Sequence, residues 1–382
     1  MVRSISVANL SARFFSSIQA WKMTIVEATS EFEKWLAQQT VVVRAQLTRK
    51  HQRMAETPLI FLRGTIYRWS QMWPHVCSDV AAAPQVLAVG DLHVDSFGTW
   101  RDITGRLVWG VDDFDEAFYL PYTQDLLRLA VSARLAILQE RLSLGWKDAC
   151  DSILEGYRDG LNSGGRPFVL EEQNHWLRTI ALARLDDPRP FWKKLEANPP
   201  ASKPVPRGAL HALKELLPEP EIPYRVVTRS AGVGSLGHRR FVALADWCGG
   251  KLALEAKALV PSAFHWAQRL KAPVRIYYQK LLDGAVRAKD PFVRLVGPWI
   301  VRQLSPDSSP VELVSLPNKR PEDRLLHAMG WEAANVHVAS KRTIKAVQSD
   351  LRRRPADWLR SGARQMSELV VKEWNEWRKH LG

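Results

Sequence analysis

Six carboxylates crowd into a short stretch of a chain that is otherwise strongly basic. They are Asp91, Asp95, Asp112, Asp113, Asp115 and Glu116. Carboxylates held close together repel one another unless a cation or a shared proton lies between them. The whole protein carries a formal net charge of +14, so this local excess of negative charge stands apart from the overall composition. Oxygen ligands of this kind suit a hard cation such as Mg²⁺, and the stretch therefore predicts a metal site.

Short strands must position these acids. The apolar run 86–89 predicts a buried strand that leads into Asp91, and residues 98–109 predict a hairpin. The second group of acids follows that hairpin directly, so both groups are expected at strand ends and loop tips. Downstream, a predicted amphipathic helix begins near Thr123, its expected N-cap. Asp125 in its first turn serves either the helix dipole or the acidic loop.

Three glycines in the second half of the chain follow the spacing Gly-x-Gly-x-x-Gly. They are Gly232, Gly234 and Gly237. A dinucleotide-binding fingerprint must open a helix and a Walker loop must end in Gly-Lys-Ser/Thr, whereas these glycines lie between two predicted strands. In kinases a glycine loop between strands brings backbone N–H groups to the phosphates of ATP. The alternative is an ordinary hairpin loop with three permissive residues.

Lys257 lies on the next predicted strand, two residues after Glu255 and on the same face. Kinases use a lysine on the equivalent strand to bind the α- and β-phosphates, and a glutamate from a neighbouring helix orients it. Residues 258–310 contain no glutamate, so Glu255 or Asp283 is the expected partner of Lys257. The alternative is an exposed Lys–Glu pair on the strand surface.

Two motifs carry a resemblance to a known superfamily. Residues 90–98 read Gly-Asp-Leu-His-Val-Asp-Ser-Phe-Gly, and residues 111–117 read Val-Asp-Asp-Phe-Asp-Glu-Ala. They resemble the catalytic half of the protein-kinase-like superfamily, in particular its aminoglycoside-phosphotransferase type. Over residues 55–370 the chain also resembles a bacterial family known only as domain of unknown function 2252. The further motifs behind this second resemblance are at 61–64, 125–129, 232–237 and 301–304.

The resemblance implies a protein that binds ATP and Mg²⁺ and phosphorylates a hydroxyl group, without indicating which acceptor carries it. Asp91 would orient or deprotonate that hydroxyl. His93 would brace the loop, and a buried imidazole bonded to a loop carbonyl is favoured over proton transfer. Arg63 either pairs with one of the acids or holds a phosphate through its planar guanidinium group.

The same resemblance assigns ligands to the metal and the nucleotide. The candidate metal ligands are Asp113, Asp95, Ser96 and Asp115. The candidate nucleotide-binding residues are Gly232, Gly234, Ser235, Gly237, Lys257 and Arg63. Ser96 departs from the pattern, because the superfamily has a metal-binding asparagine there. Either Asp95 or Asp112 supplies the missing ligand, or the protein is a catalytically impaired kinase-like nucleotide-binding protein.

The order of the motifs is also reversed relative to kinases, in which the glycine loop comes first. A circular permutation would reconcile the two orders, because termini that lie close together can be rejoined without altering the core. A third interpretation is a metal-dependent phosphoesterase, since Asp91 and His93 also begin a binuclear metallophosphoesterase motif. The Gly-Asp-x-x-Asp and Gly-Asn-His-Asp/Glu segments of that class are absent from the sequence.

At 382 residues the chain is long enough for two lobes, and we expect an α+β, two-lobed protein-kinase-like fold that is circularly permuted, with additional helices at both ends. Nine prolines between residues 186 and 224 indicate a linker. The predicted units are an N-terminal extension and helix at 1–54, a catalytic lobe at 55–185, the linker at 186–224, a nucleotide lobe at 225–315 and a helical region at 316–382.

Composition limits the partners and the compartment. Three scattered cysteines suit a reducing cytoplasm, and no apolar run approaches the roughly 20 residues of a membrane-spanning helix. The clusters at 49–53 and 352–354 are interpreted as solvated helix faces, so nucleic-acid binding is not expected. For residues 1–22 we favour a true start at Met23 over a transit-like peptide. Nothing in the sequence indicates an oligomeric state.

Overall fold

The computed structural model describes residues 23–140, 142–171, 173–182, 187–201, 204–270, 274–308 and 322–382. The helices are α1 (Ile25–Gln39), α2 (Arg44–Met54), α3 (Pro58–Gly64), α4 (Ile66–Val76), α5 (Ser78–Ala81), α6 (Thr123–Leu138), α7 (Trp146–Ser163), α8 (His175–Leu182), α9 (Arg189–Glu196), α10 (Arg207–Lys214), α11 (Ala263–Ala267), α12 (Tyr278–Gly284), α13 (Glu322–His337), α14 (Ile344–Arg353) and α15 (Trp358–Leu381). The strands are β1 (Gln85–Ala88), β2 (Phe97–Arg101), β3 (Leu107–Val111), β4 (Phe118–Pro121), β5 (Phe168–Val169), β6 (Tyr224–Thr228), β7 (Arg240–Trp247), β8 (Gly250–Ala258), β9 (Val293–Val296) and β10 (Trp299–Gln303). Residues 1–22, which carry the prediction about the true start, lie outside the described residues.

The mixed α+β composition expected from the sequence is confirmed. Within the described residues the strands form three antiparallel sheets: β1 pairs with β4, a second sheet has the order β2-β3-β5, and the third has the order β6-β7-β8-β10-β9. The two small sheets carry the acidic loops. The five-stranded sheet carries the glycine loop between β6 and β7, and Lys257 on β8.

The acidic loops are supported by helix α6, which is buried along almost its whole length. Behind it, α7 and α13 approach so closely that glycine is required at the crossing. A Cβ atom on Gly156 would overlap the backbone oxygen of His327, and one on Gly330 would overlap the backbone oxygen of Ile153. The helical part of the molecule thus forms a rigid support for the acidic loops.

The five-stranded sheet is apolar on one face, whereas the other face has a charged part and an apolar part that packs against Leu195 of α9. Its apolar face packs against α10 through residues such as Phe241, Ala256 and Val301. Because side chains alternate along a strand, the opposite face collects Arg240 on β7, Glu255 and Lys257 on β8, and Arg302 on β10. This charged face is turned towards the acidic loops.

Several local predictions were wrong. Of the unit predicted at 1–54 as an extension and one helix, the described part contains two helices, because the β-branched run Thr40-Val41-Val42-Val43 lies between them in a non-helical conformation. Tyr122, rather than Thr123, precedes α6, and the Thr123 hydroxyl donates instead to the Val80 carbonyl. The proline-rich segment contains α9 as well as α10, with proline at the start of α9, a position that tolerates it.

Several elements of the fold were not specified by the sequence patterns. Strands β9 and β10 were not predicted, although the motif at 301–304 lies on β10. Residues 59–62, interpreted as a strand or a helix start, belong to α3, which begins with the Thr57 cap and Pro58. None of the described helices combines the length and the apolar character needed to cross a bilayer, in agreement with the sequence.

Candidate functional site

The two acidic loops pass directly against each other. Gly90 follows β1 with a φ of +84°, a backbone conformation that favours glycine. A side chain at this position would overlap the backbone oxygen of Glu116 in the second loop. The Glu116 carboxylate in turn accepts hydrogen bonds from the Ser262 hydroxyl and the Ala263 N–H, at 2.8 and 2.7 Å. The first loop, the second loop and the start of α11 therefore form one unit.

Asp125 holds the first loop from below. Its fully buried carboxylate accepts the backbone N–H groups of Val89 and Gly90, at 2.7 and 2.9 Å. It also contacts Nε2 of His337 at 3.0 Å, and Nδ1 of His337 contacts the Tyr157 hydroxyl at 2.8 Å. Of the two roles considered for Asp125, the structure shows the support of the acidic loop.

Asp91 presents one carboxylate oxygen to the cleft. Its Oδ1 accepts a hydrogen bond of 2.6 Å from Nε of the fully buried Arg128. Oδ2 accepts no hydrogen bond from a described residue and faces the glycine loop, since a Cβ atom on Gly234 would lie 3.8 Å from it. Burial raises the pKa of Asp91, and Arg128 and Arg63 work in the opposite direction. A free oxygen on a carboxylate with a raised pKa is suited to accept a proton.

His93 and Ser96 shape the first loop from within. The buried His93 ring accepts the Asp95 N–H at Nδ1, 3.2 Å, so the expected bond to a loop carbonyl is replaced by one from a loop amide. Burial keeps the pKa of His93 well below its ordinary value. The Ser96 hydroxyl accepts the His93 N–H at 2.9 Å and donates to the Asp91 carbonyl at 3.1 Å. Both hydrogen-bonding functions of the Ser96 hydroxyl are thus used inside the loop.

Arg63 contacts the same loop. Its Nη1 lies 3.0 Å from Oδ2 of Asp95, and the Asp95 side chain is only 4% exposed. Of the two roles considered for Arg63, the structure shows the pairing with an acid.

Lys257 reaches across to the second acidic loop. Its ammonium lies 3.3 Å from the Asp113 carboxylate and is also paired with Asp115. Burial acts to raise the pKa of Asp113, but the ammonium of Lys257 outweighs it, and the pKa is lowered. Burial together with the charge of Asp113 raises the pKa of Asp115 to about 6. Neither expected partner, Glu255 or Asp283, makes the ion pair with Lys257.

Glu255 is instead the centre of an arginine cluster. Its fully buried carboxylate accepts hydrogen bonds from Arg229 at 2.6 Å, Arg240 at 2.8 Å and Arg302 at 3.1 Å. Burial acts to raise the pKa of Glu255, yet the three guanidinium groups hold it well below its ordinary value. The sequence analysis missed this cluster. The signal was the arginine in the motif at 301–304, directly opposite Glu255 in the β8–β10 register.

The glycine loop offers free backbone donors to the cleft. The N–H groups of residues 232–235 donate to no described residue. The loop is fixed from outside by α2: Gly237 donates to Gln46 Oε1 at 3.2 Å, and Lys50 donates to the Gly234 carbonyl at 3.2 Å. Lys50 was interpreted as part of a solvated helix face, and this was wrong because it is 6% exposed. Burial lowers the pKa of Lys50.

The loops enclose two adjoining cavities. A cleft of about 130 Å³ brings together most of the predicted site residues; Gly237 and Lys257 do not line it. Its lining includes Arg63, Asp91, His93, Asp95, Ser96, Asp113, Asp115, Gly232, Gly234 and Ser235. A larger cavity of about 360 Å³ shares Asp112 and Gly232 with the cleft and continues between Trp100, Tyr278 and Leu304. The combined space has a polar end and a partly aromatic end.

The described residues contain no group of three or more His, Cys, Asp or Glu side chains in a metal-holding arrangement. Asp95 forms an ion pair with Arg63, whereas Asp113 and Asp115 both form ion pairs with the ammonium of Lys257. Mg²⁺ is commonly held by one or two carboxylates together with substrate phosphates and water. Asp113 and Asp115 fit that description, and a complete protein cage is not required.

Comparison with known proteins gives one result. Residues 42–189 match the model of a family described as an uncharacterized protein conserved in bacteria, DUF2252. The matched segment contains both acidic loops and α6, and it ends before the glycine loop. No curated protein and no solved structure matches the chain. The comparison therefore supports, over residues 42–189, the resemblance to domain of unknown function 2252, and it does not address the protein-kinase-like superfamily.

Proposed function

We propose that the protein is an ATP- and Mg²⁺-dependent phosphotransferase that phosphorylates a hydroxyl group of a small-molecule acceptor. One observation carries this proposal: the Lys257 ammonium lies 3.3 Å from the Asp113 carboxylate, beside a glycine loop whose N–H groups at 232–235 have no described partner. Kinases hold a nucleotide and its metal with a lysine, a carboxylate and free loop amides; here Asp113 and the loop amides line the cleft, and Lys257 reaches it through its ion pair with Asp113.

The position of these parts in the sheet supports a kinase-like arrangement. The glycine loop joins the first two strands of the five-stranded sheet, and Lys257 lies on the third strand, as in protein kinases. The sheet would be the nucleotide lobe and the helical part the catalytic lobe. Contacts between the ends support a circular permutation, because Glu373 on α15 pairs with Arg68 on α4, and Trp377 donates to the His51 carbonyl.

Asp113 and Asp115 are the residues that would hold Mg²⁺. A bound Mg²⁺ would neutralise charge that develops on the phosphates during transfer. In this proposal Lys257 leaves the two carboxylates and binds phosphate oxygens, since one ammonium can serve either group but not both fully. The loop amides at 232–235 bind the remaining oxygens.

Asp91 is the candidate base for the acceptor hydroxyl. Arg128 fixes Oδ1, and the free Oδ2 is on the cleft side, so the carboxylate is held in one orientation. Proton transfer from a positioned hydroxyl requires a group within hydrogen-bonding distance of it, which Oδ2 provides for an acceptor in the cleft.

A second candidate is a kinase-like protein that binds nucleotide without transferring phosphate. The observation that favours it is the Ser96 hydroxyl, which is used in the loop and lacks the carbonyl oxygen of asparagine. A single-turnover experiment with γ-labelled ATP, Mg²⁺ and a library of hydroxyl compounds tests both. Transfer to an acceptor supports the phosphotransferase. Metal-dependent binding without transfer supports the second candidate, and release of phosphate to water alone supports a phosphoesterase.

A further inference from the structure

The arginine cluster around Glu255 carries more positive charge than its own carboxylate can balance. One buried glutamate faces three guanidinium groups, those of Arg229, Arg240 and Arg302. Arg240 is 4% exposed and its second contact is the Ser235 hydroxyl, so its guanidinium group is held inside the protein. Arg229 and Arg302 differ, because their side chains are 26% and 31% exposed.

The exposed parts of these two arginines face the larger cavity. Arg229 donates to Glu255 through Nη1, and Arg302 donates to it through Nε. The other guanidinium nitrogens of the two arginines make no hydrogen bond to a described residue. Both side chains line the 360 Å³ cavity beside Ala231 and Gly232 of the glycine loop. Free guanidinium donors are therefore next to free backbone donors.

The side chains that line the larger cavity carry both signs of charge. Its acids are Asp112, Asp283 and Asp290, and its bases are Arg229, Arg287, Lys289 and Arg302. Asp283 accepts the Gln279 amide, and Asp290 accepts the Phe292 N–H. The four bases outnumber the three acids, so this lining favours an anionic ligand.

We propose that Arg229 and Arg302 form an anion clamp, oriented by Glu255, that binds the phosphate chain of the substrate where the larger cavity meets the glycine loop. The inference rests on the proposed function for the identity of the ligand. Planar guanidinium groups bind phosphate oxygens through paired hydrogen bonds, and a carboxylate that fixes one nitrogen of each pre-orients the others.

The test measures binding by calorimetry with two probes, Mg²⁺-tripolyphosphate and a non-hydrolysable Mg²⁺-ATP analogue. The variants are Arg302→Met, Arg229→Met and Arg302→Lys, and the control is Arg225→Met, which removes an exposed arginine from the same strand region. We expect each Met variant to weaken both probes by roughly 10- to 100-fold, since a charge-assisted hydrogen bond is lost. Arg302→Lys should recover only part of the affinity, and Arg225→Met should bind like the wild type.

The outcomes separate the clamp from the proposed function. If the Met variants bind tripolyphosphate as tightly as the wild type, the clamp is wrong. This holds even if the wild type binds the nucleotide, in which case the proposed function is unaffected. A wild type that binds tripolyphosphate through these arginines but does not bind the nucleotide would support the clamp and contradict the phosphotransferase. Binding of neither probe by the wild type would overturn both. Thermal unfolding of each variant shows whether it is folded. If Arg302→Met does not fold, the binding measurements on the two single variants Arg302→Lys and Arg229→Met decide the outcome.

Discussion

The acidic loops form one side of the two adjoining cavities, the acidic wall, and the arginine cluster on the five-stranded sheet forms another, the basic wall. Each wall is organised by one fully buried carboxylate, but the two carboxylates work differently. Asp125 supports the acidic wall by accepting backbone N–H groups of Val89 and Gly90. Glu255 supports the basic wall by accepting guanidinium groups that arrive from three separate positions along the chain. The acidic wall is therefore set by backbone geometry, and the basic wall by side chains gathered through strand register.

This difference explains how the walls would respond to change. Asp125 holds the first acidic loop through backbone N–H groups, so this support does not depend on which charged side chains face the cleft. A carboxylate shared by three arginines depends on ionisation, because its partners are cations that repel each other without it. The predictions below separate the two behaviours, from the largest expected effect to the smallest.

The acidic wall should be indispensable for turnover. Asp113→Ala should reduce metal-dependent phosphate transfer by at least roughly 1,000-fold, because a charged ligand for the metal is lost. The control Asp151→Ala removes an exposed carboxylate on α7, where Asp151 pairs only with Lys147, and should leave turnover unchanged. Comparable transfer rates in the two variants would remove Asp113 from the site.

The basic wall should be indispensable for stability. Glu255→Gln should lower the free energy of unfolding at pH 7 by about 3–5 kcal/mol, because it leaves buried arginines without their counter-charge. The pKa of Glu255 is lowered on folding, so its contribution is present above the unfolded value near 4.5 and is lost as the pH falls through the folded value. Urea unfolding should show a smaller difference in the free energy of unfolding between wild type and Glu255→Gln below pH 4.5 than at pH 7. If the difference in unfolding free energy between wild type and Glu255→Gln does not change with pH, the charge of Glu255 is not what stabilises the fold.

Lys50 connects the glycine loop to α2 at a cost in stability. Lys50→Met should raise the free energy of unfolding at pH 7 by about 1 kcal/mol, because it removes a buried ammonium that makes no ion pair with a residue that the structure describes. Burial lowers the pKa of Lys50, so the wild type gains stability as the pH rises towards the ordinary value of 10.5, and the advantage of the variant shrinks there. Arg49→Met on the exposed side of α2 is the matched control, with an expected effect within about 0.5 kcal/mol. A destabilised Lys50→Met would show that the bond to Gly234 outweighs the burial of the charge.

Ser96→Asn should have the smallest effect. If the surplus carboxylates replace the missing asparagine, initial rates of phosphate transfer should change by less than about threefold, because the Ser96 hydroxyl is bonded within the loop and the carboxylates that would hold the metal, Asp113 and Asp115, are unchanged. A wild type that is inert towards every acceptor and towards water, and that is activated by Ser96→Asn, would show instead that the acidic wall has lost catalysis.

The sequence predicted the acidic wall better than the basic wall, for a physical reason. Asp91 and Asp113 follow strands within a short segment, so local patterns were enough to place them at loop tips. The arginine partners of Glu255 depend on a β8–β10 pairing between residues 47 positions apart, as for Glu255 and Arg302. Strand β10 was not predicted, and so its register was not available to the sequence analysis.

The sequence also failed to predict which polar side chains of the site are buried or bonded within the protein. Lys50 belongs to a basic run and has the appearance of a surface residue in the sequence, yet packing of α2 on the glycine loop encloses it. Similarly, Ser96 was considered as a metal ligand because of its position in a motif, whereas its hydroxyl is used within the loop. Helix periodicity does not report contacts with distant loops, so such residues are assigned only when the fold is known.

The central claim is that a nucleotide binds between the two walls together with a metal. Calorimetry with a non-hydrolysable ATP analogue, with and without Mg²⁺, tests this most directly on the wild type and on Lys257→Met and Asp113→Ala. We expect binding by the wild type that strengthens when Mg²⁺ is present. Lys257→Met should weaken it in both conditions, and Asp113→Ala should remove only the effect of Mg²⁺. No binding by the wild type at millimolar nucleotide, or binding that neither substitution changes, would contradict the claim.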